Sequence, residues 1–365
     1  MIEIQEKYKV SPFFLFFLLI SSQIGEGVLN YQAKIASGSG QDSWLSVLLV
    51  GLSMNVLLIL GYYVIKNSSG GDLISFHMEA FGKYIGSFLN VLLVLYLLLG
   101  GFLQVYNYID LLQTFAFDRI PIWELTFAMC LVLYYIVSGG FRVVTGVVFW
   151  GVIIPLIFAL PFLVLIQYLQ LRNIMPIFNH GFSDYVKSAK ESVYLFRGFE
   201  CVLIYLPFIK NSNKSIKWAH LGLLATTLFY FALTVITFLY YSQGKLLSTK
   251  WPTLTMIKII SFTVVESFEF IFIFVFFIVI VSAVCIFLWS CTRALKVTFN
   301  FKPSRALLGI LAAYFLLNIG LEDISFGQKI NRAGTYFTLI FFYAYIPLLF
   351  LVSLLRKKRK NRAQC

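Results

Sequence analysis

Charge is what this sequence has least of. Asp, Glu, Lys and Arg make up 12% of its 365 residues, where a soluble domain carries about a quarter. That shortage excludes a water-soluble globular protein, because there is too little charge to clothe a surface. Histidine is scarcer still: His77, His180 and His220 are scattered, without the spacing of a metal site. The cysteines form no C-x-x-C pair, and Cys130, Cys201, Cys285 and Cys291 sit in apolar stretches, where they serve as small apolar residues. No disulfide framework, metal or cofactor is indicated. There is also no Walker loop, G-x-S-x-G elbow or H-E-x-x-H pair. The chain therefore reads as neither an enzyme nor an ATP-driven pump.

What is there is apolar: 60% of the residues are hydrophobic, and they come in blocks such as Val91–Leu99 and Ile271–Ile280. Helices apolar all round belong in lipid. Windows of about twenty residues place spans near 12–35, 44–65, 84–113, 122–138, 143–169, 191–209, 218–240, 264–292, 304–320 and 333–355. The expectation is an all-α integral membrane protein of about ten spans, a single transmembrane domain over 1–365. Lys7 and Lys9 before Phe13–Ile20 mimic the start of a signal peptide, but no A-x-A-like site follows, so the first span is expected to be retained.

The net charge of +13 does not point to nucleic acid, because the cations lie in loops and in a basic tail at 356–365. They are topological anchors against the lipid bilayer. With an even number of spans both termini share a side. That side holds Lys7, Lys9, Lys66, Lys83, Arg142, Lys210, Lys214, Lys217, Arg293, Lys296, Lys302, Arg305 and the tail, an excess that places both termini in the cytoplasm. Leu73, Phe76 and Ala80, at helical spacing after Ser68-Ser69-Gly70-Gly71, predict a surface helix on the same side. The external segment 241–263, with Trp251-Pro252-Thr253, reads either as a gate-like re-entrant helix or as an ordinary interfacial one.

Polar groups inside spans must be satisfied without water. Two stand out: Gln23-Ile24-Gly25-Glu26-Gly27 in span one and Arg197-Gly198-Phe199-Glu200 in span six. Glycine lets a helix unwind, and the freed amides then hold a carboxylate while freed carbonyls hold a cation. Interruptions at matching places of two five-helix halves point to a central site. The alternatives are glycines that only allow close packing, a structural ion pair between Glu26 and Arg197, and an i, i+3 pair of Arg197 with Glu200. Tyr106 and Asn107 of span three can reach the same cavity. Glu266 and Glu269 either line the external entrance or are solvated at a helix N-terminus.

At these residues the sequence resembles the spore germination receptor B subunits (GerAB type), a branch of the amino acid–polyamine–organocation (APC) superfamily. The likeness runs through Gly25-Glu26-Gly27, Phe81-Gly82-Lys83-Tyr84-Ile85-Gly86, Arg119-Ile120-Pro121-Ile122, Gly139-Gly140, Pro176 with Gly181, Phe196-Arg197-Gly198-Phe199-Glu200, Trp251-Pro252-Thr253, and Glu266 with Glu269. It implies a LeuT-like 5+5 inverted repeat with broken helices 1 and 6, repeat one at about 12–169 and repeat two at about 191–355. It also implies a small-molecule germinant, commonly an amino acid, bound between spans one, three, six, eight and ten. The residues themselves suggest a ligand site among Gly25, Glu26, Gly27, Tyr106, Gly198, Phe199 and Glu200, with Arg197 and Glu266 as an ion pair or gate. Such subunits work in the spore inner membrane beside an A-type membrane subunit and a C-type lipoprotein. Glu26 followed by Asn30-Tyr31 departs from the family pattern of a small residue between the glycines and Leu-Pro a few positions later. An added carboxylate suggests a cationic or hydroxylated ligand, or a proton-linked site. The alternative function is an H⁺- or Na⁺-coupled APC-type secondary transporter. Against it, residues 143–169 hold no Lys or acid, and span eight offers mainly Ser282 for a sodium ion.

Overall fold

A computed structural model describes residues 4–117, 119–259, 268–320 and 324–362. Among the described residues, seven helices are long and apolar enough to cross a membrane, and three shorter helices are apolar as well. Span one is the helix Phe14–Gln23, a turn at Glu26–Leu29 and the helix Tyr31–Ser39; span two is Ser43–Lys66. The helix Leu73–Phe115 bends at Gly82 (φ 78°, ψ 176°), which divides the surface helix from span three at residues 83–115. Span four is Ile122–Ser138, and span five is Phe141–Ile157 followed by a 3-10 helix, Leu160–Tyr168. Span six begins as Phe182–Ser192 and ends at Phe208. Spans seven to nine are Ser212–Tyr240, Phe268–Phe299 and Pro303–Gly320. Span ten runs from Ile324 to Arg362 through a π-helical turn at Phe341–Tyr345.

Ten spans therefore stand among the described residues where about ten were expected, with several boundaries moved, most at the starts of spans six and ten, which begin at Phe182 and Ile324. Span six starts at Phe182 rather than near 191, because Asp184, Lys187, Lys190 and Glu191 make its first turns too polar for a hydropathy window. What holds these turns is small-residue packing. Ser188 and Ser192 are buried, and the Ser188 hydroxyl donates to the Ile35 carbonyl at 2.7 Å and accepts from the Ser39 amide at 2.8 Å.

The exterior is apolar. Leu49, Leu95, Tyr135, Leu163, Leu316 and Leu351 are exposed on the outside of the bundle, as lipid-facing residues should be. Polar side chains are instead turned inward: Ser21, Ser22, Gln23, Gln32, Asn90, Thr226, Thr234, Glu200 and Ser282 are all buried. Spans three and eight pack along each other, and spans one and seven, two and seven, and five and eight form further close pairs.

Two tethers fix the end of the bundle that carries the termini. Val10 pairs with the exit of span six: its amide donates to the Phe208 carbonyl and its carbonyl accepts from the Lys210 amide, both at 2.9 Å. The surface helix is capped by Asp72, whose carboxylate accepts from the Ser75 amide at 2.8 Å. Its buried His77 bridges Asn90 of span three and the Tyr345 hydroxyl of span ten, each at 2.8 Å.

Candidate functional site

Span one loses its helix at Ile24 (ψ 111°) and Gly25 (φ −149°, ψ −150°) and resumes a tight turn at Glu26. The amides that open this turn have no helical acceptor. Span seven and the segment after it hold the unwound stretch: the Tyr230 hydroxyl donates to the Gln23 carbonyl at 2.8 Å, and the Thr253 hydroxyl donates to the Val28 carbonyl at 2.8 Å. Span six breaks at Gly198, where φ is 102°. A Cβ there would collide with the carbonyl oxygen of Ser22, so the two breaks cross in direct contact and only glycine fits the crossing. Glu200, 0% exposed, folds back over the break, and its Oε2 accepts from the Gly198 amide at 3.0 Å.

Between the breaks lies a small cavity of about 30 Å³, walled by Gln23, Gly25, Glu26 and Gly27 of span one, Gly100 and Gln104 of span three, and Tyr194, Arg197 and Tyr230. Its polar lining is unusual. Both amide atoms of Gln23, Oε2 of Glu26, Oε1 of Gln104 and the Tyr194 hydroxyl are buried and have no partner within the protein. A buried polar atom left so costs about 1–3 kcal/mol, and several facing one cavity are the mark of a polar ligand site. Gly25 makes room for this: a Cβ on it would stand 2.5 Å from Oε1 of Gln104.

Of the residues expected from sequence, Gly25, Glu26, Gly27 and Arg197 line the cavity. Gly198 stands behind the wall, against Ser22. Glu200 points back to Gly198, with Oε1 unpartnered and Tyr96 and Arg197 nearby. The Phe199 ring is fully buried and packs on Phe342 with centroids 5.7 Å apart. Tyr106 sits against Phe102, 6.0 Å between rings, off the cavity wall. Arg197 donates from Nε to Thr338 of span ten at 3.3 Å and lies within electrostatic reach of Glu26 and Glu200 rather than in an ion pair with either. Glu266 lies outside the described residues.

Gln104, Tyr194, Tyr230 and Lys34 were not singled out from sequence, and Gln23 only as the start of the polar break in span one. For span three a signal existed: Gly100, Gln104 and Asn107 recur at i, i+4 and i+7 on one helix face, and Asn107 is within hydrogen-bond reach of Glu26. Lys34, from the second half of span one, lies over the Tyr194 ring at 4.9 Å and within reach of both Glu26 and Glu191. The segment after span seven packs onto the same place. Pro252–Ile257 is a short buried helix whose Thr253 hydroxyl accepts from Gln32 at 2.7 Å. Among the described residues no cluster of His, Cys, Asp or Glu is arranged to hold a metal.

A family model described as "Spore germination protein" matches residues 9–327. The chain is 36% identical over 362 residues to the spore germination protein GerQB of Bacillus cereus, covering 98% of this chain and 99% of that one. Among solved structures it is similar to a Na⁺-coupled sialic acid symporter in a substrate-bound, outward-open state (TM-score 0.62, 12% identity, 96% of this chain and 78% of that chain). It is also similar to MhsT in complex with L-phenylalanine (TM-score 0.61, 15% identity, 94% and 88%). At such identities the likeness concerns the fold alone: a LeuT-like membrane fold with spans one and six broken.

Proposed function

The chain belongs to the spore germination protein family, and on that premise we propose that it is the B-type membrane subunit of a nutrient germinant receptor. It binds a small nutrient, an amino acid or a compound of similar size, in the central cavity and signals to partner subunits. The observation that carries this reading is the set of unpartnered polar atoms on Gln23, Glu26, Gln104 and Tyr194 around one cavity at the crossing of two broken helices.

The mechanism follows from the groups in place. The open amides from Gly25 to Gly27 hold the carboxylate of the ligand, as a helix N-terminus holds an anion. Glu26 and Gln104 take its amino or hydroxyl end. A cavity of about 30 Å³ is a closed form, and a nutrient enters when Gln104 and Tyr194 swing aside. Binding then favours the wider arrangement of spans one and six, by no more than the difference in its affinity for the two arrangements. The partners that read this change are an A-type membrane subunit and a C-type lipoprotein, and the site of action is the spore inner membrane. The excess of Lys and Arg at the end carrying the termini supports a cytoplasmic placement of both. On this reading spans one to five, at about 12–169, form one repeat, and spans six to ten, expected at about 191–355 and beginning here at Phe182, form the other.

A second reading, an APC-type secondary transporter, is favoured by Glu200, a fully buried carboxylate with Oε1 free to take a proton. Sealed proteoliposomes separate the two. Labelled alanine, valine, asparagine, basic amino acids, glucose and inosine are offered with and without H⁺ or Na⁺ gradients. Saturable retention near one ligand per protein that survives permeabilisation supports the receptor. Accumulation far above that level, lost on permeabilisation, supports transport. No saturable retention of any of them removes the nutrient site from this cavity.

A further inference from the structure

A second cavity, of about 790 Å³, is far larger than the central one. It lies at the end of the bundle that carries the termini, walled by the N-terminal segment, the turn between spans four and five, the exit of span six, span eight and the start of span nine. Four cations line it, Lys7, Arg142, Arg293 and Lys296, and among the described residues no carboxylate does. The acids nearby are already engaged. Glu6 pairs with Lys9 at 2.9 Å and faces Lys210 at 3.7 Å, which holds its carboxyl below the usual range. Asp72, within electrostatic reach of Arg293, caps the surface helix at Ser75.

The cations are not spent on each other's partners. Arg142 donates to the Lys7 carbonyl at 3.1 Å, which leaves most of its guanidinium edge open. Arg293 lies over the Phe208 ring at 5.2 Å, and its buried Nε has no partner. Two helices also begin at this cavity: span five, through Gly140 and Phe141, and span nine, through Pro303 and Ser304. Helix N-termini carry partial positive charge and free amides. The rest of the wall is aromatic, with Trp289 at 4.6 Å from Phe141 and 4.8 Å from Phe208, ring to ring.

We propose that this cavity is a binding site for a phosphate group carried on an apolar or aromatic body. The phosphate sits among Arg142, Arg293, Lys296 and the two helix starts, where Arg can meet it with two parallel hydrogen bonds. The body lies on Trp289 and Phe208. The same chemistry is offered by an anionic phospholipid headgroup from the adjoining leaflet and by a soluble nucleoside monophosphate. Because the walls come from five separate elements, an occupant links them and holds that end of the bundle together.

The test uses the full-length protein in phosphatidylcholine nanodiscs, with thermal unfolding and tryptophan emission followed in parallel. The probes are inorganic phosphate, AMP, and phosphatidylglycerol in place of part of the phosphatidylcholine. The expected result is a saturable rise in unfolding temperature with at least one probe, weakened about tenfold in apparent affinity by Lys296→Gln or Arg293→Gln. Trp289→Phe should abolish the emission change while the thermal shift remains. Lys296 is exposed, so its variant carries the test even if the Arg293 variant does not fold. A response to AMP or phosphate assigns a soluble ligand, and a response to phosphatidylglycerol alone assigns the headgroup. The proposal is overturned if no probe shifts either signal, or if both charge variants respond like the wild type. None of these outcomes depends on the central nutrient site.

Discussion

The ammonium of Lys34 lies over the ring of Tyr194, 4.9 Å from its centroid, so the second half of span one and the first half of span six meet directly beside the central cavity. Tyr194 is itself a cavity wall, and Lys34 acts on Glu26 in that wall. The pair is placed as a latch between the two broken helices.

Loosening the latch should open the cavity. A cation over an aromatic face contributes about 0.5–2 kcal/mol, so Lys34→Gln should raise the fraction of open molecules severalfold. A cysteine placed at Gln104, in a background without the native cysteines, reports this through its rate of modification by a small water-soluble thiol reagent. An unchanged rate in the Lys34→Gln background would remove the latch.

The two glycine breaks should respond differently to alanine. At Gly198 the backbone is left-handed and a Cβ would strike the Ser22 carbonyl, which is backbone and has nowhere to go. Gly198→Ala should lower stability by more than the ~1–2 kcal/mol of the conformation alone. At Gly25 the obstacle is the far end of Gln104, a flexible side chain. Gly25→Ala should therefore fold with nearly wild-type unfolding temperature while filling the cavity and weakening nutrient retention. Equal loss of stability in both variants would contradict this account.

The contrast also shows what the sequence could reveal. Unwinding at Gly25-Glu26-Gly27 and at Gly198 was legible because close packing explains the glycines alone and an ion pair the charges alone, whereas a break explains both together inside an apolar span. The polar start of span six was not legible, since its burial rests on Ser188 meeting Ile35 and Ser39 across the fold, a contact that hydropathy does not encode. Gln104 was hidden for a related reason. Taken alone it is one amide in an apolar helix, and it gains meaning only where Gly100 and Gly25 leave space beside it. Tyr194 and Tyr230 are two among 21 tyrosines, and nothing in their sequence neighbourhood marks them as the cavity walls they are. Tyr106 was chosen by its position along span three, and the helix phase instead turns Gly100 and Gln104 to the cavity.

The carboxylates should separate by role. Glu200 accepts from the Gly198 amide at 3.0 Å and so shapes the break. Glu26 presents Oε2 to the cavity without a protein partner. Hydrogen bonds to charged groups contribute about 1.5–3 kcal/mol. Glu26→Gln should therefore weaken nutrient retention by about tenfold or more with little change in unfolding temperature. Glu200→Gln should lower both. If both variants retain nutrient and respond like the wild type, the ligand does not use these groups.

Thr253 ties the external segment to span one through two buried hydrogen bonds: its hydroxyl donates to the Val28 carbonyl at 2.8 Å and accepts from Gln32 at 2.7 Å. Valine has the same shape and neither function. Thr253→Val would leave the Val28 carbonyl without this donor and the Gln32 amide with only a long 3.4 Å contact to that carbonyl. Gln32 Oε1 already lacks a partner, so the site has no spare group to compensate. At about 1–3 kcal/mol for each buried group left unmade, the variant should unfold several degrees lower. Its backbone amides at 26–32 should also exchange faster, because the turn at Glu26–Leu29 is held from this side. Hydrogen exchange followed by mass spectrometry reads that stretch directly. Faster exchange confined to 243–257, with 26–32 unchanged, would mean that the external segment rests on span one without holding its break in place.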